Sequence, residues 1–157
     1  MKSVDFKIEM PLSDWMDQTI YTFEGPEIDG VKHRVILTID RALENSDIER
    51  YARKKRAQIM TAMQGGEVLK SQQATIDGGN PVFDFVVKWT PAREAQRFRK
   101  YVFVIYDNRG FVFCIDFKRE TYKLLNDQLK RLIEGFLPQT YVVRKPEQEA
   151  HEYHSPY

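Results

Sequence analysis

The chain has little of what many enzymes and secreted domains depend on. One of its 157 residues is cysteine, Cys114. An internal disulfide is therefore excluded, and the composition fits a reducing compartment. No apolar run approaches the roughly 20 residues that a bilayer-spanning helix needs, so no stable membrane insertion is expected. The opening "MKSVDFKIEMP" has no apolar core and no small-residue cleavage site, and does not read as a secretory signal. A cytoplasmic location is the expectation. Net charge is +1, which leaves no global basic field to argue for nucleic acid.

Reactive groups are equally sparse. The three histidines are His33, His151 and His154. The last two form "HEYH", a pattern that could hold a metal ion. They sit in a polar, Pro-broken stretch after Pro138 that reads instead as a loose tail over residues 139–157. Cys114 has no histidine near it in sequence and reads as a small buried hydrophobe. "GEVLKS" lacks the features of a phosphate loop, and the glycine pairs are turns. Carboxylates are scattered along the chain. No catalytic residue, cofactor or metal site is expected, and the chain is not read as an enzyme. The basic run Arg50, Arg53, Lys54, Lys55 and Arg56 reads as a solvated helix face rather than a nucleic-acid patch. Lys55 is the exception, because it falls on that helix's apolar stripe.

What the chain does have is aromatic residues, ten Phe, eight Tyr and two Trp, which favour strands. Alternation and turn chemistry predict strands at Phe6–Met10, Thr19–Phe23, Arg34–Asp40, Val68–Ile76, Val82–Trp89, Phe98–Tyr106 and Phe111–Phe117. "GPEIDG" breaks the second, and "DGGN" and Asp107-Asn108-Arg109-Gly110 are hairpin turns. Pro11–Trp15 is a turn, with Trp15 as a structural pin. A first helix is capped at Asn45 or Ser46 and ends near Met63 before Gly65-Gly66. Its apolar stripe is Ile48, Tyr51, Ala52, Ile59, Ala62 and Met63. A second helix over Glu120–Phe136 carries Tyr122, Leu125, Leu129, Leu132, Ile133 and Phe136 on one face. Residues 1–138 read as one α+β domain, a mainly antiparallel sheet of six or seven strands with two main helices.

The strands alternate between two unequal faces. Phe83, Phe85, Val87 and Trp89 form one aromatic row, and Phe111, Phe113, Ile115 and Phe117 another. Placed together with Tyr21 and Phe23, they make a bulky face that helix two should seal. The opposite face holds Ile20, Thr22, Ile36, Thr38, Val82, Val86, Lys100, Val102 and Val104. It is too apolar for a solvent face and too polar for a core. Helix one and loops could cover it, or it could meet a second subunit or an apolar client.

The ordered blocks "PLSDWMDQTIYTF", "VILTIDR", "DGGNPVFDFVVKW", "FRKYVFVIYDNRGFVFCIDF" and "LIEGF", over residues 4–138, resemble the DcrB-related family with its PsbP-like fold. The branch most similar is the Eag-type chaperones of type VI secretion. The blocks are individually soft, and their order and spacing carry the likeness. It implies a curved antiparallel sheet flanked by helices, a homodimer, and no enzymatic activity. It also implies a role in shielding the apolar N-terminal transmembrane helices of a secreted effector before loading on the spike. Absence of a leader and of a lipobox cysteine favours that branch over the envelope lipoproteins of the wider fold. The groove so implied includes Ile20, Thr22, Thr38, Ile59, Met63, Phe98 and Lys100, with Ile36 and Val102 added by the alternation. Lys55 and Lys100 stand where some relatives place glutamine. The chain departs there, because a charge weakens an apolar groove, although a lysine can snorkel and donate to helix carbonyls. The polar tail is a further departure. The alternatives are a lipid or small-apolar-ligand carrier, or another protein-interaction module of this fold.

Overall fold

The computed structural model describes residues 18–41, 43, 47–75, 81–92 and 95–138. Within them the chain forms β1 (Tyr21–Ile28), β2 (Val31–Asp40), α1 (Ile48–Ala62), β3 (Glu67–Thr75), β4 (Pro81–Trp89), β5 (Arg97–Tyr106), β6 (Arg109–Phe117) and α2 (Tyr122–Glu134). A single 3-10 turn, Arg119–Thr121, leads into α2. The strands make one antiparallel sheet in the order β1-β2-β6-β5-β4-β3. This is the α+β architecture that the resemblance implies. The predicted strand at Phe6–Met10, the Trp15 turn, the "DGGN" turn, His151, His154 and the tail all lie outside the described residues.

The turns fix the register. Asp107 and Asn108 both take positive φ, 51° and 55°, as a two-residue turn matched to strand twist requires. Tyr106 then pairs with Arg109. Asp29 and Gly30, at φ 53° and 77°, make the equivalent turn between β1 and β2. "GPEIDG" therefore does not end the strand. β1 continues through Gly25-Pro26 with a register shift between Glu24 and Glu27, a bulge that an edge strand allows around a proline without an N–H. His33 Nδ1 lies 3.4 Å from the Pro26 carbonyl oxygen there.

The two-residue turn has a further effect. Val104 pairs with Phe111 and Val102 with Phe113, so even positions of β5 share a face with odd positions of β6. β4 and β5 keep the same parity, with Phe83 opposite Phe103 and Phe85 opposite Tyr101. The two aromatic rows consequently lie on opposite faces, which corrects the expectation of one bulky face sealed by helix two. Phe111, Phe113, Ile115 and Phe117 pack with Val35, Leu37, Val82, Val86 and Val102 under α2. Phe83, Phe85, Val87, Tyr101, Phe103 and Val112 pack under α1. The sheet has two apolar cores.

Each helix answers its own core. α2 buries Leu125, Leu129 and Ile133, one stripe at i, i+4 and i+8. Such burials are worth about 1.5–3 kcal/mol each. Phe136, just past its end, meets Phe111 and Phe113 edge-on at 4.9 and 5.1 Å. α1 starts at Asp47, whose carboxylate accepts from the Arg50 N–H at 2.7 Å and so caps the helix. The expected caps Asn45 and Ser46 lie outside the described residues. Gly65 at φ 75° turns the chain away after α1. α1 is the one connection in the described sheet that is not a hairpin, carrying the chain from β2 across to the far edge strand β3.

Tyr51 anchors α1. It is 2% exposed, meets Phe103 edge-on at 6.1 Å, and its ring lies over Gly110, where an added Cβ would overlap it. Gly110→Ala is therefore expected to lower unfolding free energy by about 1–3 kcal/mol through overpacking, read as a lower urea midpoint. Combining it with Tyr51→Ala should cost less than the sum of the two single changes. Full additivity would contradict the close approach.

Candidate functional site

α1 covers only part of its face. It packs on β4 and β5, where Ile48, Tyr51 and Ala52 meet the Phe83, Phe85 and Phe103 side chains. Polar contacts hold it there from both sides. The Leu43 N–H donates to the Asn108 carbonyl at 3.0 Å, just before the helix. The Tyr51 hydroxyl donates to Asp40 at 2.5 Å, and Lys55 Nζ reaches the same carboxylate oxygen at 2.7 Å. On the other flank Arg56 donates to Ser71 Oγ at 2.6 Å and lies over the Phe83 ring.

Among the described residues, what this leaves open is the β1 and β2 end of the face. Thr22 pairs with Ile36, Ile36 with Cys114, and Cys114 with Tyr101, so these four form one row across the sheet. Ile36 is 38% exposed and Ile20, just before β1, is 62% exposed. Two hollows border the helix here. One, of about 510 Å³, includes Ile20, Thr38, Asp40, Lys54, Lys55 and Gln58. The other, of about 460 Å³, includes Gln58, Ile59, Met63, Trp89, Arg99 and Tyr101. Gln58 lines both, so the two hollows are neighbours along the helix flank and together form a trough interrupted at that side chain.

Each end of the trough carries a fixed polar group. At one end, burial of Asp40 opposes its ionisation, but the hydrogen bonds from Lys55 and Tyr51 outweigh this and hold the carboxyl below its usual range. At the other, Arg99 grips Asp116 through two bonds of 2.5 and 3.0 Å, with its guanidinium over the Trp89 ring. Between them sits Cys114, whose thiol burial pushes up to about 12. Such a thiol is a poor nucleophile near neutral pH.

Of the ten side chains expected in a groove, seven lie on the α1 side of the sheet: Ile20, Thr38 and Lys55 line one hollow, Ile59 and Met63 line the other, and Thr22 and Ile36 stand in the exposed row of β1 and β2. Phe98, Lys100 and Val102 are on the opposite face, toward α2, because β5 alternates. Val102 is 2% exposed, a core residue. Lys100 Nζ donates to Asn126 Oδ1 of α2 at 2.7 Å. Burial lowers its pKa, countered by nearby Asp84. Lys55 does not project freely into the trough, being tied to Asp40. Gln58, Tyr101, Cys114 and the Arg99–Asp116 pair were not expected there. Gln58 was findable, since it stands three residues after Lys55 on the same helix flank.

No family model matches the chain, and no curated protein matches it in sequence. Among solved structures, the fold is similar to PA94, a protein of unknown function from Pseudomonas aeruginosa. The TM-score is 0.67 at 13% identity, with 81% of this chain and 88% of that one covered. At that identity the likeness shows the fold alone. A weaker similarity is with the Saccharomyces cerevisiae Ran-binding protein Mog1p, at TM-score 0.41 and 13% identity, covering 61% of this chain and 56% of that one. It is too partial to argue from. Among the described residues no group of His, Cys, Asp and Glu is placed to hold a metal ion, and no helix is long and apolar enough to cross a membrane.

Asp40 has a folded pKa below its ordinary value of 3.8. Its contribution to stability is therefore complete above that value and is lost as pH falls below it. Asp40→Asn should lower the urea midpoint at neutral pH and remove part of the fall between about pH 5 and pH 3. An unchanged acid limb would contradict the Tyr51–Asp40–Lys55 cluster. Separately, the Cys114 thiol should react with a thiolate-selective reagent at least about 100-fold more slowly in the folded protein than in urea. Equal rates would contradict its placement.

Proposed function

We propose that the chain is a non-enzymatic adaptor chaperone whose trough beside α1 holds an apolar helix of a client protein. The observation that carries this is a strip of exposed and half-buried side chains, Ile20, Thr22, Ile36 and Thr38, that the other described residues leave open on the α1 side of the sheet. Ile20 and Thr38 line the hollow beside Lys55 and Gln58, and Ile59 and Met63 line the neighbouring hollow that shares Gln58 with it. An apolar helix outside a bilayer exposes a surface that water disfavours. A floor of branched side chains offsets that, while the Gln58 amide offers a donor to a backbone carbonyl at a helix end.

The resemblance to the Eag-type chaperones supplies the client class in this reading, the N-terminal transmembrane helices of a type VI secretion effector. Length bears on stoichiometry. The 15 residues of α1 span about 22 Å, whereas a spanning helix of about 20 residues is about 30 Å long. One trough covers part of such a helix, and a homodimer would supply the remainder.

A soluble reporter fused to a 20-residue Leu–Ala helix tests the reading. Co-expression with the wild-type chain should keep the fusion in the soluble fraction. Ile20→Asp combined with Ile36→Asp, both at exposed positions, should leave the chaperone folded and weaken capture by about 100-fold or more, from two lost apolar burials. A fusion that stays insoluble with the wild type, or stays soluble with the folded double variant, would sink the proposal.

A further inference from the structure

The opposite face of the sheet carries a second concavity, remote from the trough and independent of the chaperone reading. It lies where β3, β4 and β5 meet the start of α2, and encloses about 630 Å³. Val86, Phe98 and Phe117 make its floor, and Phe98 stacks on Phe117 with ring centroids 5.6 Å apart. Leu69 and Tyr122 stand at its sides, 48% and 41% exposed. These are large apolar groups left in water beside a preformed hollow.

Its rim is cationic. Lys70, Lys88 and Arg119 line it, and Lys100, 9% exposed, lies next to Val86 across the β4–β5 ladder. Two carboxylates oppose the three lining cations. Asp84 pairs with Lys70 at 3.3 Å and Glu67 with Lys88 at 3.7 Å. Lys100 has as its hydrogen-bond partner the neutral amide of Asn126. The local balance is therefore positive in a chain with net charge of only +1.

We infer that this cleft binds an anionic amphiphile, a molecule with one acidic headgroup and an aliphatic body of medium-chain fatty-acid size. The volume falls within the range of about 300–1,000 Å³ found for small-molecule sites. A flat protein interface would instead need about 800 Å² on each partner. The aliphatic body lies over Phe98 and Phe117 and removes Leu69 and Tyr122 from water. The headgroup meets Lys70 and Arg119, which line the cleft beside its apolar floor. A neutral molecule of the same shape would fill the floor but bring no anion to Arg119 as it draws that cation out of water. Phe98, expected in the client groove, has this cleft as its surroundings.

Calorimetric titration with sodium decanoate, below its micelle concentration, tests this against 1-decanol. Decanoate should bind one to one, weaken with added salt, and exceed decanol by about tenfold or more. Lys70→Gln with Arg119→Gln should reduce decanoate affinity about tenfold, and Leu69→Ser should reduce it through the apolar wall alone. Ile20→Asp with Ile36→Asp should leave it unchanged. Equal binding of decanol, no loss in the Lys70 and Arg119 double variant, or loss in the Ile20 and Ile36 double variant would each overturn the assignment.

Discussion

A two-residue turn governs this molecule. Because Asp107 and Asn108 close the β5–β6 hairpin with no residue to spare, Tyr106 faces Arg109 and parity changes across that ladder. Had the loop held one residue more, both aromatic rows would share a face and one helix could seal the sheet. Instead β4 and β5 present their large side chains on one side while β6 and β2 present theirs on the other. Both faces are apolar, and each requires its own cover.

The covers are unequal. α2 lies along its core with three buried aliphatic residues. α1 must also carry the chain from β2 to the far edge, so it is drawn over β4 and β5 and cannot lie over β1. Tyr51 and Lys55 reach back to Asp40 at the end of β2 and fix how far the helix can shift. The exposed strip at Ile20 and Ile36 follows from that geometry. So does the separation of two concavities, one mixed and elongated beside α1, the other compact and cationic beside α2.

Much of the fold is legible in the sequence. The six strands within the described residues and both helices stand close to their predicted places, because period-2 and period-3.6 patterns are strong here. The capping carboxylate Asp47 follows directly after the expected positions. β1 outran its predicted end because Pro26 sits on an edge strand, where a missing N–H costs no ladder bond. The site was legible by halves. Alternation within a strand says which residues share a face, but not which face of the next strand they join. That depends on loop parity, and Asp107-Asn108 carried the signal. Lys100 and Val102 were assigned to the wrong side for this reason, whereas Phe98 was placed there by the resemblance. Gln58 and the Arg99–Asp116 pair lie beside the strip through how α1 crosses the sheet, a tertiary placement that no local pattern encodes.

The division into two functional faces meets its most direct test in photo-crosslinking. A benzophenone side chain is placed at position 36 in one variant and at position 69 in another, each co-expressed with the Leu–Ala helix fusion. Crosslinks to the fusion from position 36 and none from position 69 are the predicted result. Crosslinks from position 69 with none from position 36 would contradict the assignment of the α1 face to the client.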